Sequence, residues 1–286
     1  MPRRAAFRRL AVTALVLALT TAAAVVAVVV ATTSRRSVTP LCQVVATSGR
    51  YQLALDQAAN AATIAAVGKA AGLPDHAVTV ALAAALQESA LHNLAGGDRD
   101  SVGLFQQRPS QGWGTPTELR TPSYAAAAFF RALQNESGWE SLPVTEAAQL
   151  VQRSAAPDAY AVWEQEARAV AEAVTGEVAG GLACQYNSDG SGAAASSSAP
   201  STSLADAMRT ELGSSSFTTS TRASQWLVAS WLVAHASTYQ ITSVTFDTYR
   251  WVSSKAVWTT VSPARADLAI TVAGHGHAPI TDSSTV

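Results

Sequence analysis

Val78-Thr79-Val80-Ala81-Leu82-Ala83-Ala84-Ala85-Leu86-Gln87-Glu88-Ser89 is apolar on nearly every side for nine residues and then abruptly polar. Pro74-Asp75 stands just before it, a pairing suited to a first helical turn, where proline's missing N–H costs nothing. A helix apolar all round belongs in the middle of a helical domain rather than on its surface. Its end carries a carboxyl group, Glu88. Emerging from an Ala/Val/Leu-rich helix, that group loses water and holds its proton more tightly. A carboxyl protonated near neutral pH is what cleavage of a glycosidic bond requires, because the leaving oxygen must gain a proton as the bond breaks.

Working outward, Asp56 to Ala71 reads as a preceding helix closed by Gly72. From His92 to Thr121 the chain is rich in Gly, Asp, Pro, Ser and Gln, a long irregular stretch of the kind that often carries function. Thr121-Pro122 opens a helix through about Asn135, Val144 to Ser154 forms another, and Pro157-Asp158 starts a longer one that ends near Gly176. Residues 51–184 are therefore read as an all-helical domain. A Ser/Gly/Ala linker follows at 185–203. Residues 204–274 read as a small α+β domain of unassigned role: Trp226, Leu227, Trp231 and Leu232 lie at helical spacing, and β-branched runs follow from Ile241 to Val272. Residues 275–286 are expected to be a disordered tail. The predicted fold class is mainly α, with an N-terminal transmembrane helix.

That transmembrane expectation comes from Arg3, Arg4, Arg8 and Arg9 before a chargeless run, Leu10 to Thr33. At about 1.5 Å per residue the run reaches about 36 Å, enough for a hydrocarbon core of about 30 Å. The arginine excess puts residues 1–9 in the cytoplasm and the bulk of the chain outside, beyond a juxtamembrane linker at 34–50. The rival reading is a cleaved signal peptide and a secreted protein. Both export the chain, and in an exported chain the only two cysteines, Cys42 and Cys184, predict a disulfide; two buried thiols are the alternative. The net charge of -1 gives no reason to expect nucleic acid as a partner. Zinc-ligand spacings, phosphate loops and serine-nucleophile elbows do not occur, so neither a metal nor a cofactor is expected.

Three motifs in order carry a resemblance: Gln87-Glu88-Ser89, then Gly103-Leu104-Phe105-Gln106-Gln107, then Ala159-Tyr160-Ala161. They resemble the Glu-Ser, Gly-Leu-Met-Gln and Ala-Tyr-Asn signatures of the lytic transglycosylase and goose-type lysozyme group, with Phe105 in place of the methionine and Ala161 in place of the asparagine. The stretch from Gly97-Asp98-Arg99-Asp100-Ser101 to Gly112-Trp113-Gly114 looks like the lysozyme-like domains of exported actinobacterial proteins. The resemblance spans roughly residues 50–175. It implies a lysozyme-like fold acting on peptidoglycan glycan strands, at the β-1,4 bond between N-acetylmuramic acid and N-acetylglucosamine.

Under that resemblance Glu88 is the general acid. Its carboxylate then takes the muramyl 6-hydroxyl proton and a 1,6-anhydro ring closes, with no second carboxylate needed. Hydrolysis by water would usually use one, and Asp98 is the best match to the aspartate of goose-type lysozymes. Ser89, Gln106, Gln107, Trp113 and Tyr160 are the candidate substrate-binding residues. The departures at Phe105 and Ala161 keep a non-catalytic peptidoglycan-binding module open, as well as a wall-opening component of a secretion or conjugation machine. The C-terminal domain could bind wall polymer or a protein partner.

Overall fold

A computed structural model describes residues 39–154, 156–186, 202–215, 221–273 and 277–279. Among the described residues, eight α-helices are joined by two three-stranded antiparallel sheets. The first sheet comes from the N-terminal side of the helical region. Strand β1 (Leu41–Ala46) turns back through Thr47-Ser48 into β2 (Gly49–Leu53), and β3 (Leu182–Gln185) pairs on the other edge of β1. Cys42 faces Cys184 across the β1–β3 register, and the two are joined as a disulfide, as the sequence predicts.

Between β2 and β3 lie six helices: α1 (Leu55–Ala70), α2 (Asp75–Ser89), the short α3 (Pro116–Leu119), α4 (Pro122–Gln134), α5 (Val144–Gln152) and α6 (Glu164–Thr175). Helix α2 is the central one. Every residue from Ala77 to Leu86 is buried. Its five alanines between Ala77 and Ala85 keep the surface low, so α1, α5 and α6 pack closely around it. Leucine and valine add the apolar area, about 1.5–3 kcal/mol for each side chain fully removed from water. Proline sets the start of several helices: Pro74 is the N-cap residue of α2, and Pro122 the first residue of α4.

Beyond the linker, α7 (Leu204–Leu212) and α8 (Arg222–Ala234) lead into β4 (Ile241–Val252), β5 (Trp258–Val272) and β6 (His277–Pro279). Residues from Pro40 onward form one unit, and the segments on either side of the linker share a buried core. The indole N–H of Trp251 donates to the Cys184 carbonyl at 2.8 Å, and that of Trp258 to the Leu182 carbonyl at 2.8 Å. The Tyr186 hydroxyl donates to the Val233 carbonyl at 2.7 Å. Trp226 is fully buried, with Phe246, Tyr249 and Trp258 edge-on to it. Trp226 and Trp251 are core residues, and Trp258 packs against them partly buried.

The expected class needs correction. Among the described residues helix makes up 48% and strand 22%, so the fold is mixed α and β rather than mainly α. Part of the strand lies where a linker was expected: Leu41–Ala46 alternates buried and less buried positions, but the run is too short for its period to stand out before its partners are known. The membrane-spanning helix finds no support. Residues 10–33 lie outside the described residues, and among the described residues no helix is long and apolar enough to cross a membrane. Most of the 185–203 linker is likewise outside them. Of the tail expected to be disordered, His277–Pro279 pairs with β5 at Ala269–Thr271, and the remainder lies outside the described residues.

Candidate functional site

Helix α2 ends sharply. Ala90 and Leu91 both adopt the left-handed conformation, at φ 51° and 61°, and their N–H groups close onto the Leu86 and Ala85 carbonyls. Two such non-glycine residues in succession cost on the order of 1–2 kcal/mol each. Burial of the Leu91 side chain and the bond from Asn60 Nδ2 to the Leu91 carbonyl, 2.7 Å, hold them there. The turn sends the chain away from the helix axis and leaves Glu88 half-buried rather than covered.

The second motif returns to this helix end. The single hydroxyl hydrogen of Ser89 is shared between the Leu104 carbonyl, 2.7 Å from Oγ, and that of Ala85, 3.0 Å away. The turn is closed by Val102 N–H to the Gln107 carbonyl, 3.0 Å, and by Gly103 N–H to the Leu94 carbonyl, 2.9 Å. Beneath it Phe105 stacks on Phe129, 4.7 Å between ring centres. Gly103 has φ 78°, and a Cβ there would lie 2.2 Å from the Leu119 carbonyl oxygen, so only glycine fits.

The third motif sits on a 3-10 helix, Pro157–Trp163. From it the fully buried Tyr160 donates its hydroxyl to Glu88 Oε1 at 2.9 Å, across 72 positions of sequence. Burial pushes the Glu88 carboxyl above its ordinary value; the Tyr160 hydroxyl, then the Gln152 amide, pull it partly back. The position adds to the effect of burial, since the C-terminal end of a helix disfavours negative charge. Tyr160 is itself pushed well above the usual phenol range by burial and by Glu88, so it remains a donor. With Oε1 accepting from Tyr160, the proton of the acid form belongs on Oε2.

The candidate residues divide. Glu88 and Tyr160 meet directly. Ser89 is buried and committed to backbone carbonyls, a brace rather than a ligand group. Gln106 is partly buried, with its amide on the Gly103 carbonyl at 3.1 Å and its Oε1 against Gly97, where a Cβ would lie at 1.6 Å. Gln107 is buried, and its amide donates to the Ala125 carbonyl at 3.3 Å while its Oε1 has no partner. Trp113 packs half-buried against the core, its carbonyl accepting from the Tyr124 hydroxyl at 3.5 Å. Asp98 is 92% exposed and lies 3.8 Å from Arg99. Asp100 is engaged elsewhere: the Ser110 N–H, Arg108 and the Ser110 hydroxyl all bind it and hold its carboxyl far below the ordinary range.

Sequence reading missed Gln152, whose Nε2 donates to the Phe105 carbonyl at 3.1 Å beside Glu88, and Trp163, whose indole N–H donates to Gln87 Oε1 at 2.7 Å. No spacing rule points to Gln152. Trp163, three residues past Tyr160, follows from helical phase once Tyr160 is placed. A cavity of about 440 Å³ lined by Asp75, His76, Glu164 and Arg168 among others lies at the opposite end of α2, roughly 20 Å along the helix from Glu88. It plays no part in this site. Among the described residues no cluster of His, Cys, Asp and Glu could hold a metal ion.

No family model matches the chain, and no curated protein matches it. The likeness to the lytic transglycosylase group rests on the motifs themselves.

Proposed function

We propose that this protein is a peptidoglycan-cleaving enzyme of the lytic transglycosylase type, with Glu88 as general acid and then general base. The observation that supports this most is the bond from Tyr160 to Glu88 Oε1, 2.9 Å, which joins two motifs distant in sequence around one half-buried carboxyl. Protonated Glu88 gives its proton to the bridging oxygen as the bond to muramyl C1 breaks. The Glu88 carboxylate then takes the proton of the 6-hydroxyl as that oxygen bonds to C1. The acid is restored and an anhydro end is left. Neutral donors, Tyr160 and Gln152, stabilise the transient carboxylate without abolishing its basicity. The exposure of Asp98 and the commitment of Asp100 to Arg108 and Ser110 favour the single-carboxylate route over hydrolysis. The disulfide suits an oxidising compartment, where peptidoglycan lies.

The test is incubation of purified sacculi with the full chain and with Glu88→Gln, with mass spectrometry of the released fragments. Anhydro-muramyl products from the parent alone are expected. Equal release by both proteins would remove Glu88 from the chemistry, and reducing ends would make the enzyme a hydrolase. Sedimentation with sacculi without cleavage by either would make it a binding module.

A further inference from the structure

We propose that Gln87 and Trp163 form a subsite that reads the 2-acetamido group of the sugar bound at Glu88. The inference deepens the reading of this site as one that cleaves peptidoglycan glycan, and rests on it. The Trp163 indole N–H donates to Gln87 Oε1 at 2.7 Å. An indole nitrogen donates and never accepts, so this bond settles which way round the Gln87 amide sits. The oxygen is turned to Trp163, and the Nε2 group with its two hydrogens is turned away. Gln87 is exposed, and its Nε2 donates to no group among the described residues. Helix α2 therefore presents an oriented, unused pair of donors one residue before the acid.

The pair stands beside the acid for a geometric reason. Tyr160 and Trp163 belong to the same 3-10 helix, Pro157–Trp163. With about three residues per turn, side chains at i and i+3 eclipse, about 6 Å apart along the axis. Tyr160 meets Glu88 at 2.9 Å and Trp163 meets Gln87, so one face of that helix binds two consecutive residues of α2. Trp163 also joins the 3-10 helix to α6, and its ring packs partly buried on the core, so the partner of Gln87 is held on rigid backbone. The chemistry then selects the ligand. Free amide hydrogens bind an acceptor. The charged residues next to the pair along the chain, Glu88 and Glu164, are both acidic, which favours a neutral carbonyl over a carboxylate. The acetamido carbonyl is neutral, and it is carried by C2, the carbon beside the one whose bond Glu88 breaks. The open part of the indole offers its methyl an apolar surface. A sugar with a 2-hydroxyl has neither the carbonyl nor the methyl.

The experiment is an NMR titration of the full chain with tri-N-acetylchitotriose and with cellotriose, whose rings carry a 2-acetamido and a 2-hydroxyl group respectively. The parent, Gln87→Met and Trp163→Phe are compared. The parent is expected to prefer tri-N-acetylchitotriose, with shifts at the Gln87 amide and the Trp163 indole. Gln87→Met should lower that preference about three- to tenfold, the range for one neutral hydrogen bond. Trp163→Phe removes the indole N–H and lets the amide turn over, so it should lower the preference in the same direction with Gln87 still present. A merely structural role would weaken both sugars alike. Equal weakening of the two, an unchanged preference in either variant, or a parent without the preference overturns the proposal. Should Gln87→Met fail to fold, Gln87→Glu decides: its carboxylate still accepts from Trp163 but has no N–H to give, so a lost preference supports the subsite and a retained one overturns it.

Sacculus digestion separates this inference from the one beneath it. An acetamido preference that depends on Gln87, without any fragment release by the parent, would sustain the subsite and sink the enzymatic reading. Fragment release by a parent that binds both trisaccharides equally would do the reverse.

Discussion

Replacement of Gly103 by alanine tests whether the turn beneath Glu88 is built as described. Gly103 has φ 78°, where an L side chain costs about 1–2 kcal/mol. Its new Cβ would lie 2.2 Å from the Leu119 carbonyl oxygen, a backbone atom that cannot rotate away. Forced displacement of a packed segment typically costs about 1–3 kcal/mol. The displacement also strains the bond from Gly103 N–H to the Leu94 carbonyl, worth about 1 kcal/mol. Together these give about 3–6 kcal/mol, or roughly 6–24 °C in Tm for a chain of this size. Gly112→Ala is the control. Its φ is 81°, but no atom lies within 4 Å of the added Cβ, so only the conformational cost of about 1–2 kcal/mol applies. Thermal denaturation followed by circular dichroism measures both. A Gly103→Ala loss no larger than that of Gly112→Ala would refute the close approach to Leu119 and with it the placement of the turn.

Three further outcomes are expected. Gly97→Ala should leave stability nearly unchanged, because its Cβ meets only the movable end of Gln106, but it should displace that side chain and lower sacculus cleavage severalfold; a loss of unfolding free energy above about 2 kcal/mol would contradict this. Removal of both Cys42 and Cys184 should lower unfolding free energy by up to about 5 kcal/mol, the loop-entropy value for a separation of 142, as read from denaturant midpoints with and without reductant. Glu88→Gln should stabilise the protein increasingly as pH rises. Burial raises the native carboxyl above its unfolded value, so Glu88's favourable contribution is complete below the unfolded pKa and is lost as pH climbs through the native one. A Tm difference between parent and variant that stayed flat from pH 4 to 8 would contradict that sign.

Much of the helical region could be read from local pattern. The apolar run of α2, the prolines before α2 and α4, and the motif at Gly103 to Gln107 are short-range signals. They fixed helix positions to within a few residues. The first sheet was missed because β1 and β3 are short, and β3 follows β1 by well over a hundred residues; two- to three-residue alternation says little until the partner strand is known. Asp56, where the sequence reading starts α1, lies in its first turn and meets His92 at 2.6 Å, while Gln57 caps the backbone N–H of Ala54 at 2.8 Å. Several residues that looked like sugar contacts, Ser89 and Gln107 above all, are internal braces. A hydroxyl or amide in a motif can face a ligand or a carbonyl, and its sequence is the same in either case.

By itself the sequence determined where most of the longer helices lie, and that a carboxyl emerges from an apolar helix beside a glycine turn; it missed the short helix Pro116–Leu119 and read the 3-10 turn Pro157–Trp163 as part of the α-helix after it. Those properties depend on neighbours within a few residues. Only the tertiary structure decided that Tyr160 reaches Glu88, that Asp98 and Asp100 are placed elsewhere, and that the cysteines close a sheet. Burial and proton affinity depend on what lies within a few ångströms in space, and here those atoms come from helices far apart along the chain.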